Sequence, residues 1–171
     1  MSNYQKLYKI VVVGEGGVGK TTLIKRYVTG QFTNSKTTIG VSFAIANVNF
    51  NNVTVKMQIW DLGGEERFRT LLPSFCKGAQ GAIIVFDQSR FSTFLSLPEW
   101  IELVKKNTNN IPIILVGSKS DLVSENSYLD QIMEMVKRYD LKEFIPVSSK
   151  TGFNIDKVFV DIAASLMPQR Y

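Results

Sequence analysis

GEGGVGKTT, residues 14–22, ends the apolar run LYKIVVV (7–13) with a turn rich in glycine and closed by a lysine and two threonines. Gly14, Gly19, Lys20 and Thr21 satisfy the spacing G-x-x-x-x-G-K-[ST]. Glycines at such a turn let successive backbone N–H groups face inward around a phosphate, and a helix starting near Gly19 adds its positive end. In this reading Glu15, Gly16, Gly17, Val18, Gly19 and Thr22 offer backbone groups, Lys20 places a point charge on the outer phosphates, and the Thr21 hydroxyl ligates Mg2+. From composition alone a chance match is on the order of one per cent, and an apolar strand before it with a helix after it makes chance rarer still.

The rest of the chain repeats this strand-then-helix beat. Apolar runs recur at 7–14, 41–50, 53–61, 81–87, 111–118 and 143–149. Several are unbroken Val/Ile/Leu stretches, as expected of strands covered on both faces. The pair 41–50 and 53–61 instead alternates, and Asn51-Asn52 between them predicts a tight hairpin turn. Helical spacing fills 20–29, 92–106 (with Pro98 bending or restarting it), 126–139 and 154–167, where Asn154 is the expected N-cap. The fold class is therefore α/β: one domain over residues 1–171, with a six-stranded, mostly parallel sheet and helices on both faces. Ligands in such folds bind beyond the carboxyl ends of the strands.

The loops after the other strands carry chemistry of the same kind. After 53–61 comes DLGG: Asp61 is an acid placed to direct Mg2+, and Gly64 lets its N–H approach a terminal phosphate. Glu65, Glu66, Arg67 and Arg69 follow, and a helix starting there would pair Glu65 with Arg69 at i,i+4, worth roughly 0.3–0.5 kcal/mol. After 111–118 comes SKSD (118–121), where Asp121 can accept from the N1–H and 2-amino group of guanine and Lys119 can lay its stem over a base. Adenine offers an acceptor at N1 and no 2-amino group. Ser148, Ser149 and Lys150 after the last strand invite a similar use.

Composition narrows the classes. The chain has 171 residues, 44% hydrophobic and 20% charged, which is globular. It has no His, so acid–base work must fall to carboxylates, hydroxyls, backbone groups or a cation. Cys76 is the only cysteine; its apolar neighbours mark it as a buried, inert thiol, and the usage fits a reducing, cytoplasmic setting. The net charge of +5 is scattered in runs of at most two, unlike a nucleic-acid footprint. The sequence shows no signal-peptide layout, membrane span or lipidation motif, so it predicts a chain with no membrane anchor of its own.

GEGGVGKT, TTIGVSF, IWDLGGEERF, SKSD and SSK, in this order, resemble the Ras-like small GTPases, most closely the Rab branch, over nearly the whole chain. The pieces LLP, FD-S and EW also look like fungal septation-initiation GTPases. The resemblance implies a sheet with five parallel strands and one antiparallel strand, five helices, GTP/GDP and Mg2+ as ligands, slow GTP hydrolysis, and a monomer that works with an exchange factor, a GTPase-activating protein and effectors. It also implies that Thr38 and Thr21 ligate Mg2+ with Asp61 behind a water. Gly64 would sense the γ-phosphate, Phe32 would pack edge-on against guanine, and Ser149 would offer its N–H to guanine O6. Lys20, Gly64, Thr38 and Glu65 would make up the catalytic set.

Three departures from that pattern stand out. Ser118 replaces the usual Asn with a group that makes fewer hydrogen bonds. The segment FTNSKTT (32–38) is one residue shorter and lacks an aromatic that closes over phosphates. Glu65 replaces the glutamine that orients the attacking water. An anion beside the γ-phosphate is opposed by roughly 3 kcal/mol per unit charge at 5 Å and an effective dielectric near 20, so Glu65 is expected to turn outward toward Arg69. A hydrolysis-poor, GTP-bound scaffold is the alternative. A phosphoryl-transfer kinase, which needs an acceptor pocket and an arginine-bearing lid, ranks far behind.

Overall fold

A computed structural model of the chain describes residues 6–50, 53–124 and 128–168. Six strands form one sheet: β1 (Lys6–Val13), β2 (Val41–Phe50), β3 (Val53–Leu62), β4 (Gly81–Asp87), β5 (Ile113–Ser118) and β6 (Glu143–Pro146), in the order β2-β3-β1-β4-β5-β6. Only β2 runs antiparallel to its neighbour, in register from Val41↔Leu62 to Phe50↔Val53. The Asn51-Asn52 turn lies outside the described residues.

Strict alternation along β1 builds two cores at once. Ile10 and Val12 feed one face with Leu23, Phe159 and Ile162; Val11 and Val13 feed the other with Leu72, Trp100 and Ile132. The first face is covered by α1 (Lys20–Thr29) and α6 (Ile155–Leu166). The second is covered by α2 (Leu72–Cys76), α3 (Phe91–Leu95), α4 (Leu97–Lys106) and α5 (Leu129–Arg138). Every residue of β4 and β5 is buried, which explains why those runs are unbroken in the sequence.

The helix over 92–106 does restart at Pro98. α3 ends at Leu95, and Pro98 sits in the first turn of α4, where its missing N–H breaks no helical bond. With α3 and α4 counted as one broken helix, the described residues hold five, the number the resemblance implied.

Other expectations need correction. The segment after DLGG is a 3-10 turn over Glu66–Leu71 and not an α-helix. Asn154 is the N-cap residue of α6, as expected, but with φ +57 its side chain turns back to donate to the Pro146 carbonyl at 3.0 Å and makes no capping bond to the first turn. β6 stops at Pro146, which has no N–H to continue the ladder, and Ser148 turns aside to bridge Phe153. α5 begins at Leu129, and residues 126 and 127 of the predicted span 126–139 lie outside the described residues.

Cys76 is 1% exposed, and burial raises its thiol pKa to about 11. The thiol is therefore protonated at neutral pH and shut away from reagents. Folded protein at pH 8 should stay unlabelled by a thiol-specific chromogen over an hour, and one equivalent should appear on adding denaturant. Rapid labelling of the folded chain would contradict this packing.

Candidate functional site

β1 lies between β3 and β4, and successive strands after it are laid down first on one side and then on the other, so the order of the sheet reverses just where Gly14 begins the glycine-rich loop. An open cleft of about 340 Å3 lies there. Gly14 has φ +144, and a Cβ on it would stand 2.1 Å from the Val85 carbonyl oxygen, so only glycine brings the loop this close to β4. Gly19, also left-handed at φ +98, opens α1 with no side-chain cap and no acid in the first turn. The first amides of α1 are thus free of side-chain acceptors, as an anion site requires.

Five consecutive loop carbonyls are each taken by a side-chain donor. Lys20 Nζ donates to Gly14 O and Glu15 O, both at 2.8 Å. Arg90 Nη2 donates to Gly16 O at 2.9 Å, Lys119 Nζ to Gly17 O at 3.1 Å, and Ser118 Oγ to Val18 O at 2.5 Å. In a trans peptide the C=O and the following N–H point opposite ways. Holding the carbonyls of Gly16, Gly17 and Val18 therefore turns the N–H groups of Gly17, Val18 and Gly19 away from those donors.

Lys20 is 5% exposed, and burial lowers its pKa to about 8 against the raising influence of Asp61 and Glu15. Asp61, 2% exposed, is shifted upward by burial, opposed by bonds from Thr21 and Thr38 and by the Lys20 charge. Its Oδ2 accepts from the Thr21 hydroxyl and, at 3.4 Å, from Thr38 Oγ1; the two hydroxyl oxygens are 2.5 Å apart. Asp61 Oδ1 is buried with no hydrogen-bond partner among the described residues. An orphaned carboxylate oxygen beside two convergent hydroxyls fits a hard, oxygen-seeking dication. The described residues contain no cluster of three or more His, Cys, Asp or Glu. One carboxylate with hydroxyls suits Mg2+, which shares its shell with water and phosphate oxygens, better than a protein-only cage.

The base-reading candidates meet at the other end of the cleft. Phe32, Ser118, Lys119, Asp121, Ser149 and Lys150 all line it. Asp121 Oδ1 accepts from the Ser148 hydroxyl at 2.6 Å, which fixes the carboxylate; Ser148 itself is buried behind the wall. The Ser118 hydroxyl faces two carbonyls, Val18 O and Phe86 O (3.0 Å), and has one proton for both. It joins the loop to the sheet and has no second proton to give a ligand.

Glu65 is not brought into the cleft. Its backbone is extended, at φ −71 and ψ 144, which rules out an α-helical i,i+4 reach. Its carboxylate pairs with Arg67 Nε at 2.9 Å, so the expected partner Arg69 is a correction. Arg69 instead donates from Nη2 to Glu15 Oε1 at 2.8 Å and from Nη1 to Glu99, and stacks over Trp100 at 4.9 Å. Trp100 Nε1 also donates to Glu15 Oε1, at 3.1 Å. The Glu15 carboxylate is therefore taken by Arg69 and Trp100, and the Val18 side chain is buried in the core, so each gives the loop only its backbone.

The sequence reading missed Asp87, Arg90 and this second role of Glu15. Asp87 is opposed by burial, yet bonds from Lys119 and Ser89 outweigh it and hold the carboxyl below the usual range. Local spacing gives no sign of these contacts, although an acid ending a buried strand, as in FD-S, could have marked Asp87.

A sequence model of the Ras family matches residues 9–168. The chain is 38% identical over 168 residues to Ras-related protein Rab-19 of Homo sapiens, covering 96% of this chain and 77% of that one. It is 38% identical over 164 residues to Ras-related protein Rab-19 of Xenopus laevis, covering 94% and 77%. It is 36% identical over 171 residues to Ras-related protein Rab-30 of Homo sapiens, covering 99% and 84%.

Gly64 presses its backbone against that of the glycine-rich loop. A Cβ on it would lie 2.3 Å from Glu15 C and Gly16 N and 2.5 Å from Glu15 O. Gly64→Ala should push the segment off the loop and raise trypsin cleavage at Arg67 or Arg69 by about fivefold, read by mass spectrometry, with little loss of global stability. Unchanged cleavage would show that the segment does not rest on the loop in solution.

Proposed function

The chain belongs to the Ras family, and from that premise we propose that it is a guanine-nucleotide switch that binds GTP and GDP with Mg2+ and hydrolyses GTP slowly. The observation that carries the reading is the ring of donors on the loop carbonyls, which leaves the amides and the start of α1 for phosphates. Lys20 adds its charge to the outer phosphates. Asp121, fixed by Ser148, selects guanine, while Lys119 and Phe32 flank the base. Gly64 and Thr38 act as latches that let go when the γ-phosphate leaves. Thr21, Thr38 and Asp61 would hold Mg2+, which would neutralise phosphate charge as it develops.

In hydrolysis a water oxygen bonds to the γ-phosphorus while the bond to the bridging oxygen of GDP breaks. Glu65, at the position expected to orient that water, is turned to Arg67 instead. An external partner is then needed for fast turnover, and exchange factors, activators and effectors of the family's kind are its proposed partners. The alternative, a scaffold that stays GTP-loaded, draws on the same Glu65 geometry. No helix among the described residues is long and apolar enough to cross a membrane.

The test is single-turnover hydrolysis after loading with GTP and Mg2+, wild type beside Glu65→Gln. A five- to twentyfold faster rate in Glu65→Gln, about 1–2 kcal/mol of barrier, is the expected result. Equal rates, with Glu65→Ala no different, would mean the position plays no part in the chemistry. Asp121→Ala should lose most of the preference for GTP over ATP, about a hundredfold. A wild type that loads ATP as readily as GTP would overturn the guanine reading.

A further inference from the structure

Two of the donors on the loop carbonyls are themselves held by one anion. Asp87 Oδ2 accepts from Lys119 Nζ at 2.6 Å and from Arg90 Nε at 3.3 Å. Those same cations hold Gly17 O and Gly16 O. The carboxylate is fixed in turn: Oδ1 accepts from the Ser89 N–H at 2.9 Å and the Ser89 hydroxyl at 2.6 Å, and the Asp87 N–H donates to Thr93 Oγ1 at 2.9 Å. Asp87 ends β4 at 1% exposure and is not part of the cleft lining.

We propose that Asp87 is a positioning residue for phosphate binding, setting the loop amides from behind by holding Arg90 and Lys119 on the carbonyls of Gly16 and Gly17. The proposal rests on reading the cleft as a nucleotide site. Long cationic side chains lose much rotamer freedom when they fix a carbonyl. A buried carboxylate that grips both at once removes that freedom before the ligand arrives, and charge-assisted bonds are the strong ones. Because each peptide is planar, a carbonyl that swings free takes the next N–H with it. Losing Asp87 therefore disorders the amides of Gly17 and Val18, which the phosphates need. Lys119 couples the same anion to the base end of the cleft, so one residue serves both halves of the ligand.

The test is the release rate of a fluorescent GDP analogue, chased with excess GDP, in wild type, Asp87→Asn, Arg90→Ala, Arg90→Lys and the double variant Asp87→Asn/Arg90→Ala. The expected result is release about tenfold faster in Asp87→Asn and in Arg90→Ala. The double variant should be at most about twofold beyond Asp87→Asn, because Asp87 acts through Arg90, and losing the anion already frees it. Arg90→Lys should recover most of the wild-type rate. A merely structural role lowers the melting temperature without this non-additivity or this rescue.

Single variants that release GDP within about twofold of wild type overturn the proposal, as does a double variant in which the two effects simply multiply. If Asp87→Asn fails to fold, the half-exposed Arg90 decides: Arg90→Ala releasing like wild type overturns the idea, and rapid release restored by lysine supports it. A wild type that holds no guanine nucleotide overturns the reading of the cleft as well, and so is distinguishable from a failure at Asp87 alone.

Discussion

A phosphate cradle can turn its amides inward only when something takes the carbonyls, and the architecture around the loop meets that constraint. The donors come from separate places in the chain: Lys20 from α1, Arg90 from the turn after β4, and Ser118 and Lys119 from the end of β5. They converge because β4 and β5 lie side by side in parallel register, Asp87 opposite Ser118, so both strands end level with the loop. The two apolar cores fix that register, and through it they fix the cradle. Packing and ligand chemistry are one problem here.

The same arrangement explains the unease of the charges. Lys20 and Asp61 are both buried, and burial pushes each toward its neutral form. Each charge opposes the shift of the other, with the Thr21 and Thr38 hydroxyls adding to the pull on Asp61 and Glu15 to that on Lys20. A phosphate and a dication would supply what burial removed. Anything that binds there with those charges would stabilise the folded chain by linkage.

What the sequence revealed was whatever is local. The glycine-lysine-threonine spacing, the strand runs and the loops SKSD and SSK are read within ten residues, and the structure brings them to one cleft. Expectations failed where local form depended on something distant. Asn154 was read as a side-chain cap, but the Pro146 carbonyl competes for its amide. Glu65 was matched to Arg69 on the assumption of an α-helix, but Glu15, Glu99 and Trp100 claim that guanidinium from 54, 30 and 31 positions away, and the backbone tightens to a 3-10 turn. Arg90 reaches Gly16 across 74 positions. No periodicity records such a pair, because only the sheet order makes them neighbours.

One consequence concerns the stretch from Gly64 to Arg69. Its first residue rests on the backbone of Glu15, and its last is tied to the side chain of Glu15. A span fastened at both ends to a single support keeps its ends in step with that support. Between them Phe68 packs against the second core, so the span is pinned in the middle as well. Trp100, bonded to the same carboxylate and buried at the root of α4, ties the support to the body of the fold, so one acidic side chain joins the glycine-rich loop, the segment after β3 and a helix of the second layer.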